Sequence, residues 1–264
     1  GRFDLAVSLV RSPLMSAALL LSGIPHRAGV DSAGRGFGYT VRAAVDPNAP
    51  RHEAEIYLDV MRALGKDTGD CYANVPVREA DVEAVREKLQ EQGVTGAYVV
   101  VNPAGGSNPG MVMDAKRYPP EQLAELAKRL AARQSTQIVL LGGPKDADLV
   151  NAVQARLNAP AAAFVGKLSF GEIAALAAGA RLYVGNDTGL THLAAAAGAK
   201  TVMILGPTDP RRYAPFAPNA LALWQPTAVA AGGVAAGTPQ DWDWARDGIG
   251  VDAAEAQIAA WVGK

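Results

Sequence analysis

The chain has 264 residues, 49% of them apolar and 19% charged, so it can bury one large core or two modest ones. A net charge of −1 argues against a nucleic-acid partner and gives no general pull toward an anionic membrane. The single cysteine, Cys71, excludes an internal disulfide, suits a reducing compartment and is read as a thiol without a role.

In chain order, "FDLAVSLV" reads as a strand and "SPLMSAALLLSG" as a short helix. The apolar stretch "PLMSAALLLSGIP" is too short to span a bilayer. The strand containing Asp4 that precedes it argues against a signal peptide. "HRAGV" reads as a second short strand and the glycine-rich "DSAGRGFGYT" as a loop. "RHEAEIYLDVMRALG" is helical, with Ile56, Val60, Met61 and Leu64 at helical spacing. "READVEAVREKLQEQG" reads as a charged, exposed helix. That gives two strands, where a complete Rossmann domain has about six.

Beyond Gly93 the pattern becomes regular. "AYVVVN", "TQIVLLGG", "AAAFVG", "RLYVGN" and "TVMILG" are apolar runs rich in β-branched residues, hence strands. Between them lie the helical stretches "PEQLAELAKRLAAR", "DADLVNAVQARL", "SFGEIAALAAG" and "LTHLAAAAG". Pro119 and Pro120 suit a first helical turn, and Ser169 with Glu172 has capping-box spacing. Continuous rather than alternating apolar strands are buried on both faces, as in a parallel sheet covered by helices. No short-period repeat is present, which excludes a solenoid. The expected division is a partial domain over 1–93, a Rossmann-like domain over 94–247 and a C-terminal helix over 248–264.

In such sheets ligands bind beyond the carboxyl ends of the strands. Two strand ends carry unusual loops. In "NPAGGSN", Gly105 and Gly106 let backbone N–H groups converge and Ser107 adds a hydroxyl, which suits phosphate as well as a plain tight turn. In "GNDTG", Asp187 and Thr188 stand where a helix begins. They are either caps or the rim of an anion site at a helix N-terminus. His192 lies about one turn further on, on the face that looks back to the loop. On an alanine-rich helix it is either a packing residue or a ligand contact. Lys116, in "DAKRYPPEQ", precedes a helix N-terminus, where a cation gains nothing from the dipole. It is either a solvated surface lysine or a phosphate clamp.

The segments "VVVNPAGGSNPGMVMDAKRYPPEQLAELAKRL", "IVLLGGPKD" and "GKLSFGEIAALAAGARLYVGNDTGLTHLAAAAGAKTVMILGPTDPRRYAP" together closely resemble glycosyltransferase family 9, the heptosyltransferases and their relatives. "FDLAVSL", "HRAGVD" and "RHEAEIYLDVMRALG" resemble the later part of that family's N-terminal domain. "ARDGIGVDAAEAQIAAWV" resembles its closing segment. The resemblance implies an α/β, GT-B-type fold of two Rossmann-like domains, the N-terminal one incomplete and the C-terminal one holding a nucleotide-sugar donor. It implies that Ala104, Gly105, Gly106 and Ser107 meet the donor phosphates, that Lys116 approaches the diphosphate and stabilises the leaving group, and that Leu168 lies beside the nucleobase. It places Asp187, Thr188 and Gly189 against the donor, with His192 one turn later.

The implied activity is an inverting transfer of a sugar, a heptose, from a nucleoside diphosphate donor such as ADP-heptose to a lipopolysaccharide core or related glycan. No cofactor or metal is implied, and no nucleic acid. The implied setting is bacterial and cytoplasmic, at the inner face of the inner membrane, with at most peripheral membrane contact. The sequence departs from the family in three places. The strand and glycine-rich loop that carry the candidate general base have no counterpart after Gly1, so the chain is expected to be truncated at its start. Lys145 stands in "GGPKD" where relatives often have an acid, with Asp146 as a possible substitute. "QPTAVAAGGVAAGTPQDWDW" lacks the cysteine cluster common in relatives. The alternative is a non-catalytic or truncated nucleotide-sugar binding module. A sugar-nucleotide epimerase needs converging acids and a histidine that are not found in the sequence. A dinucleotide-dependent oxidoreductase is disfavoured because no G-x-G-x-x-G follows a strand.

Overall fold

The chain divides into two compact units, and the computed structural model describes residues 2–108, 111–228 and 241–263. The smaller unit is built on Gly1–Cys71, joined by Arg211–Tyr213. Its elements are β1 (Leu5–Ser8), α1 (Pro13–Leu21), β2 (His26–Ser32), β3 (Val41–Val45) and α2 (Glu53–Ala63). The three strands form a parallel sheet in the order β1-β2-β3. Ser12 opens α1 by accepting the Met15 N–H, with Pro13 in the first turn. Ala28, Val30, Ala43, Val45, Ile56 and Val60 form the core. The sequence reading gave this unit two strands. The third, β3, escaped because Arg42 and two alanines make a weak apolar pattern. Pairing with β2 and cover from α2 stabilise it in spite of that.

The larger unit begins at Tyr72. It carries α3 (Glu79–Glu91), β4 (Tyr98–Asn102), the short antiparallel hairpin β5 (Ser107–Asn108) and β6 (Met111–Val112), and a 3-10 turn over Asp114–Lys116. Then follow α4 (Pro120–Gln134), β7 (Gln137–Gly142), α5 (Ala147–Leu157), β8 (Ala161–Val165), α6 (Phe170–Ala178), β9 (Leu182–Asn186) and α7 (Gly189–Ala196). The chain continues through β10 (Thr201–Ile204), the short α8 (Pro210–Tyr213), whose last three residues belong to the smaller unit, then β11 (Ala220–Leu223), α9 (Trp244–Asp247) and α10 (Val251–Val262).

Six strands pair in the order β11-β10-β9-β4-β7-β8, every pair parallel. All five residues of β4 are buried, because alternate side chains enter two different cores. Val99 and Val101 pack with Leu123, Leu126 and Leu130 of α4. Tyr98 and Val100 pack with Val85 and Leu89 of α3 and Leu176 of α6. This two-sided cover is what the continuous apolar runs require.

Two boundaries differ from the sequence expectation. Helix α3 is not wholly exposed. Val85 and Leu89, four residues apart, bury one stripe against α6, so the units divide at Cys71/Tyr72 and not near Gly93. Helix α10 is not a separate closing segment either, since Ala254 and Ile258 enter the α4 core. The capping box of α6 is formed. Ser169 Oγ accepts the Glu172 N–H while the Glu172 carboxylate accepts the Ser169 N–H. Ser169→Ala is expected to cost about 1 kcal/mol, read as a fall of roughly 2–4 °C in the thermal midpoint of the larger unit.

Candidate functional site

Strands β4 and β9 are direct neighbours, with Asn102 opposite Gly185. Their carboxyl ends therefore release two loops side by side, the one after Asn102 and the one after Asn186. Each apolar strand ends in a fully buried asparagine. Asn102 Oδ1 accepts the Ala104 N–H at 2.9 Å, and its Nδ2 donates to the Tyr183 hydroxyl at 2.9 Å. Burial pushes the Tyr183 phenol well above its ordinary pKa, so it stays a neutral partner. Asn186 joins the two loops. Its Nδ2 donates to Pro103 O at 2.9 Å and Ala104 O at 3.2 Å, and its Oδ1 accepts the Tyr118 N–H at 3.0 Å. The Tyr118 hydroxyl, its pKa pushed up to about 12 by burial, donates to Ile249 O.

The glycine loop is fixed from outside as well. Arg117 Nε donates to Gly105 O at 2.8 Å, and the same guanidinium pairs with Asp114 at 2.7 Å. Gly106 has φ +69, and a Cβ there would stand 2.1 Å from Met113 O, so only glycine fits. The Ala104 N–H is held inside the loop by Asn102, so of the residues assigned to phosphate contact Ala104 contributes shape and not a donor. Ser107 pairs through its backbone with Val112, and its side chain lies outside the described residues.

The 3-10 turn delivers Lys116 to the second loop. Its Nζ lies 2.7 Å from Asp187 Oδ2, with the two side chains only 12% and 8% exposed. Lys116 is thus half of a buried ion pair and not a solvated surface lysine. Thr208 Oγ1, beyond the end of β10, donates to the same Oδ2 at 2.9 Å. His192 Nε2 stands 4.0 Å from the other oxygen, Oδ1. The capping alternative for Asp187 and Thr188 does not describe this site. Thr188 occupies the N-cap position of α7 without a side-chain cap bond, and Asp187 spends its Oδ2 on Lys116 and Thr208. The N-terminus of α7 at Gly189 therefore carries the partial positive charge of an uncapped helix start.

Two assigned positions stand apart. Leu168 follows β8, the outermost strand, so β7 lies between it and β4. It is half-buried against the α3–α6 core. Asp146 folds back within its own turn, its Oδ2 accepting the Gly143 N–H at 2.7 Å, while Lys145 is exposed. Sequence reasoning missed Asn102, Asn186, Arg117 and Thr208. A polar residue closing an apolar run, twice over, was the available signal for the two asparagines. Among the described residues no group of three or more His, Cys, Asp or Glu could hold a metal ion, and no helix is long and apolar enough to cross a membrane.

Lipopolysaccharide heptosyltransferase 3 of Escherichia coli is 29% identical over 173 residues, 64% of this chain and 49% of that protein. Lipooligosaccharide heptosyltransferase 2 of Haemophilus influenzae is 27% identical over 228 residues, 83% of this chain and 65% of that protein. The chain thus spans about half to two-thirds of the length of these curated relatives. The solved structure of E. coli ADP-heptose LPS heptosyltransferase II has the same fold, with a TM-score of 0.70 at 23% identity, covering 98% of this chain and 76% of that one. Parallel sheets in both units agree with that GT-B-like neighbour. Residues 1–232 match the family described as glycosyltransferase family 9 (heptosyltransferase), and the chain belongs to that family.

Proposed function

We propose that the larger unit binds a nucleoside diphosphate sugar at the paired ends of β4 and β9, and that the protein transfers the sugar, a heptose carried by ADP, with inversion to a lipopolysaccharide core glycan. The observation that carries this reading is the Lys116–Asp187 pair beside the N-terminus of α7. An unpaired aspartate there would repel a diphosphate. Neutralised by Lys116, it leaves the helix N-terminus free to attract phosphate and can accept hydroxyl groups of the sugar. Lys116 and the backbone N–H groups at Gly189 then meet the charge that builds on the departing diphosphate. Preorganised donors of this kind contribute on the order of 3 kcal/mol each. The reaction would take place in the cytoplasm at the inner face of the inner membrane, where a lipid-linked acceptor is within reach.

Calorimetric titration with ADP-heptose and with ADP tests the donor site. Asp187→Ala is expected to weaken ADP-heptose binding roughly ten- to a hundredfold, the range for a lost hydrogen bond to a charged group. ADP, which lacks the sugar, should lose little. His192→Ala should weaken both ligands. Equal losses with Asp187→Ala would mean that Asp187 shapes the loop and does not contact sugar. The alternative, a binding module without transfer, is separated by assaying sugar transfer to a lipopolysaccharide core acceptor. A chain that binds ADP-heptose and transfers nothing would be that module.

A further inference from the structure

We propose that Thr208 is a positioning residue, whose buried hydroxyl orients the Asp187 carboxylate so that Oδ1 is presented to the sugar of the bound donor. This rests on the donor-site reading above and extends it to a residue which that reading leaves without a role. Thr208 is only 1% exposed and lies on the segment that leaves β10, the strand on the far side of β9 from β4. Its Oγ1 donates to Asp187 Oδ2 at 2.9 Å, the oxygen that Lys116 already meets at 2.7 Å.

The two donors differ in kind. A lysine ammonium is a compact charge with three rotatable donors, and it tolerates many carboxylate orientations. The terminal torsion of aspartate is broad, so one cation alone leaves the carboxylate plane loosely set. Threonine is stiff about χ1 and gives a directional bond from a second strand end. Two donors converging on Oδ2 from separate segments fix the plane. Oδ1 is then held on the side of His192, whose Nε2 is 4.0 Å away. An acceptor fixed in advance binds a sugar hydroxyl without first losing its own rotational freedom. Thr208 acts on the ligand only through Asp187, so its effect should fall on the sugar and spare the diphosphate.

The test is titration of wild type, Thr208→Val and Thr208→Ser with ADP-heptose and with ADP. Valine keeps the branched shape and removes the hydroxyl, and serine returns it. Thr208→Val is expected to weaken ADP-heptose about tenfold, the effect of a hydrogen bond to a charged group, and to leave ADP within about twofold. Thr208→Ser should recover most of the loss. If Thr208→Val does not fold, Thr208→Ala makes the same comparison. Wild-type affinity for ADP-heptose in the hydroxyl-free variant, equal loss of both ligands, or no recovery with serine overturns the assignment while the donor site stands. A wild type that binds neither ligand overturns the donor site and this assignment together.

Discussion

Asn186→Asp is expected to destabilise the larger unit by about 4 kcal/mol or more, in the range reached when a buried polar network is broken and an unpaired charge is buried. In a unit of this size that lowers the thermal midpoint by on the order of 10 °C. Asn186 is fully buried and uses both ends of its amide. The substitution turns the Nδ2 donor into a carboxylate oxygen facing Pro103 O and Ala104 O, now 2.9 and 3.2 Å from that nitrogen. Two acceptors lose their donor and gain a repulsive neighbour. A carboxylate with no cation there must protonate or drive the loop away. Asn186→Leu removes the same bonds without adding charge. It leaves three buried groups unpaired and should cost less, about 3 kcal/mol.

Denaturation followed by tryptophan emission reads this directly, because Trp224, Trp242, Trp244 and Trp261 all belong to the larger unit. If the aspartate variant were as stable as the leucine variant, the amide would not be the joint between the loops. On the proposed donor site, where the glycine loop meets the diphosphate, the Asn186 variants should also lose ADP and ADP-heptose alike. That separates Asn186 from Asp187, whose removal should fall on the sugar.

Much of the fold was legible because its causes are local. Five apolar runs without alternation announced strands buried on both faces, and helices between them made parallel pairing the consistent solution. The Ser169–Glu172 spacing announced a capping box that is formed. Elements whose causes are not local escaped. Strand β3, with Arg42 among small residues, takes its stability from β2 and α2. Strand β11 is only four residues, Ala220–Leu223, three of them half-buried, and is held by β10. Helix α3 looked exposed because charges outnumber Val85 and Leu89 along it, and its buried stripe has meaning only against α6. At the site, the loops could be placed on one edge because both follow strands and parallel strands put all their carboxyl ends on one side. The partner of Lys116 could not, because Asp187 lies 71 positions further along the chain and the nearer carboxylate, Asp114, pairs with Arg117 instead. Thr208 is nearer to Asp187 in the chain, but its contact depends on which strand lies beside β9.

Lys116→Met is expected to be the second most costly change, on the order of 3–5 kcal/mol, because it strands a buried carboxylate. Asp187 would keep Thr208 as a donor to Oδ2 but lose the charge that compensates its own, at a site where its side chain is 8% exposed. Methionine follows the lysine stem closely, so little packing is lost and the effect reports on charge. The reverse change, Asp187→Ala, strands the Lys116 ammonium instead. It should be milder, since a long side chain can swing its head toward water. The double variant Lys116→Met with Asp187→Leu removes both charges. A buried pair replaced by apolar residues of similar volume is often neutral, so the double variant should recover most of the stability that Lys116→Met loses. On the proposed donor site, where Asp187 is the acceptor for the sugar, it should regain none of the affinity for ADP-heptose. Stability and ligand binding thereby come apart in one cycle of variants, followed by tryptophan emission and by calorimetry. If Lys116→Met were as stable as wild type, the pair would be a surface contact, and the neutralised aspartate beside α7 would no longer account for how a diphosphate is accepted there.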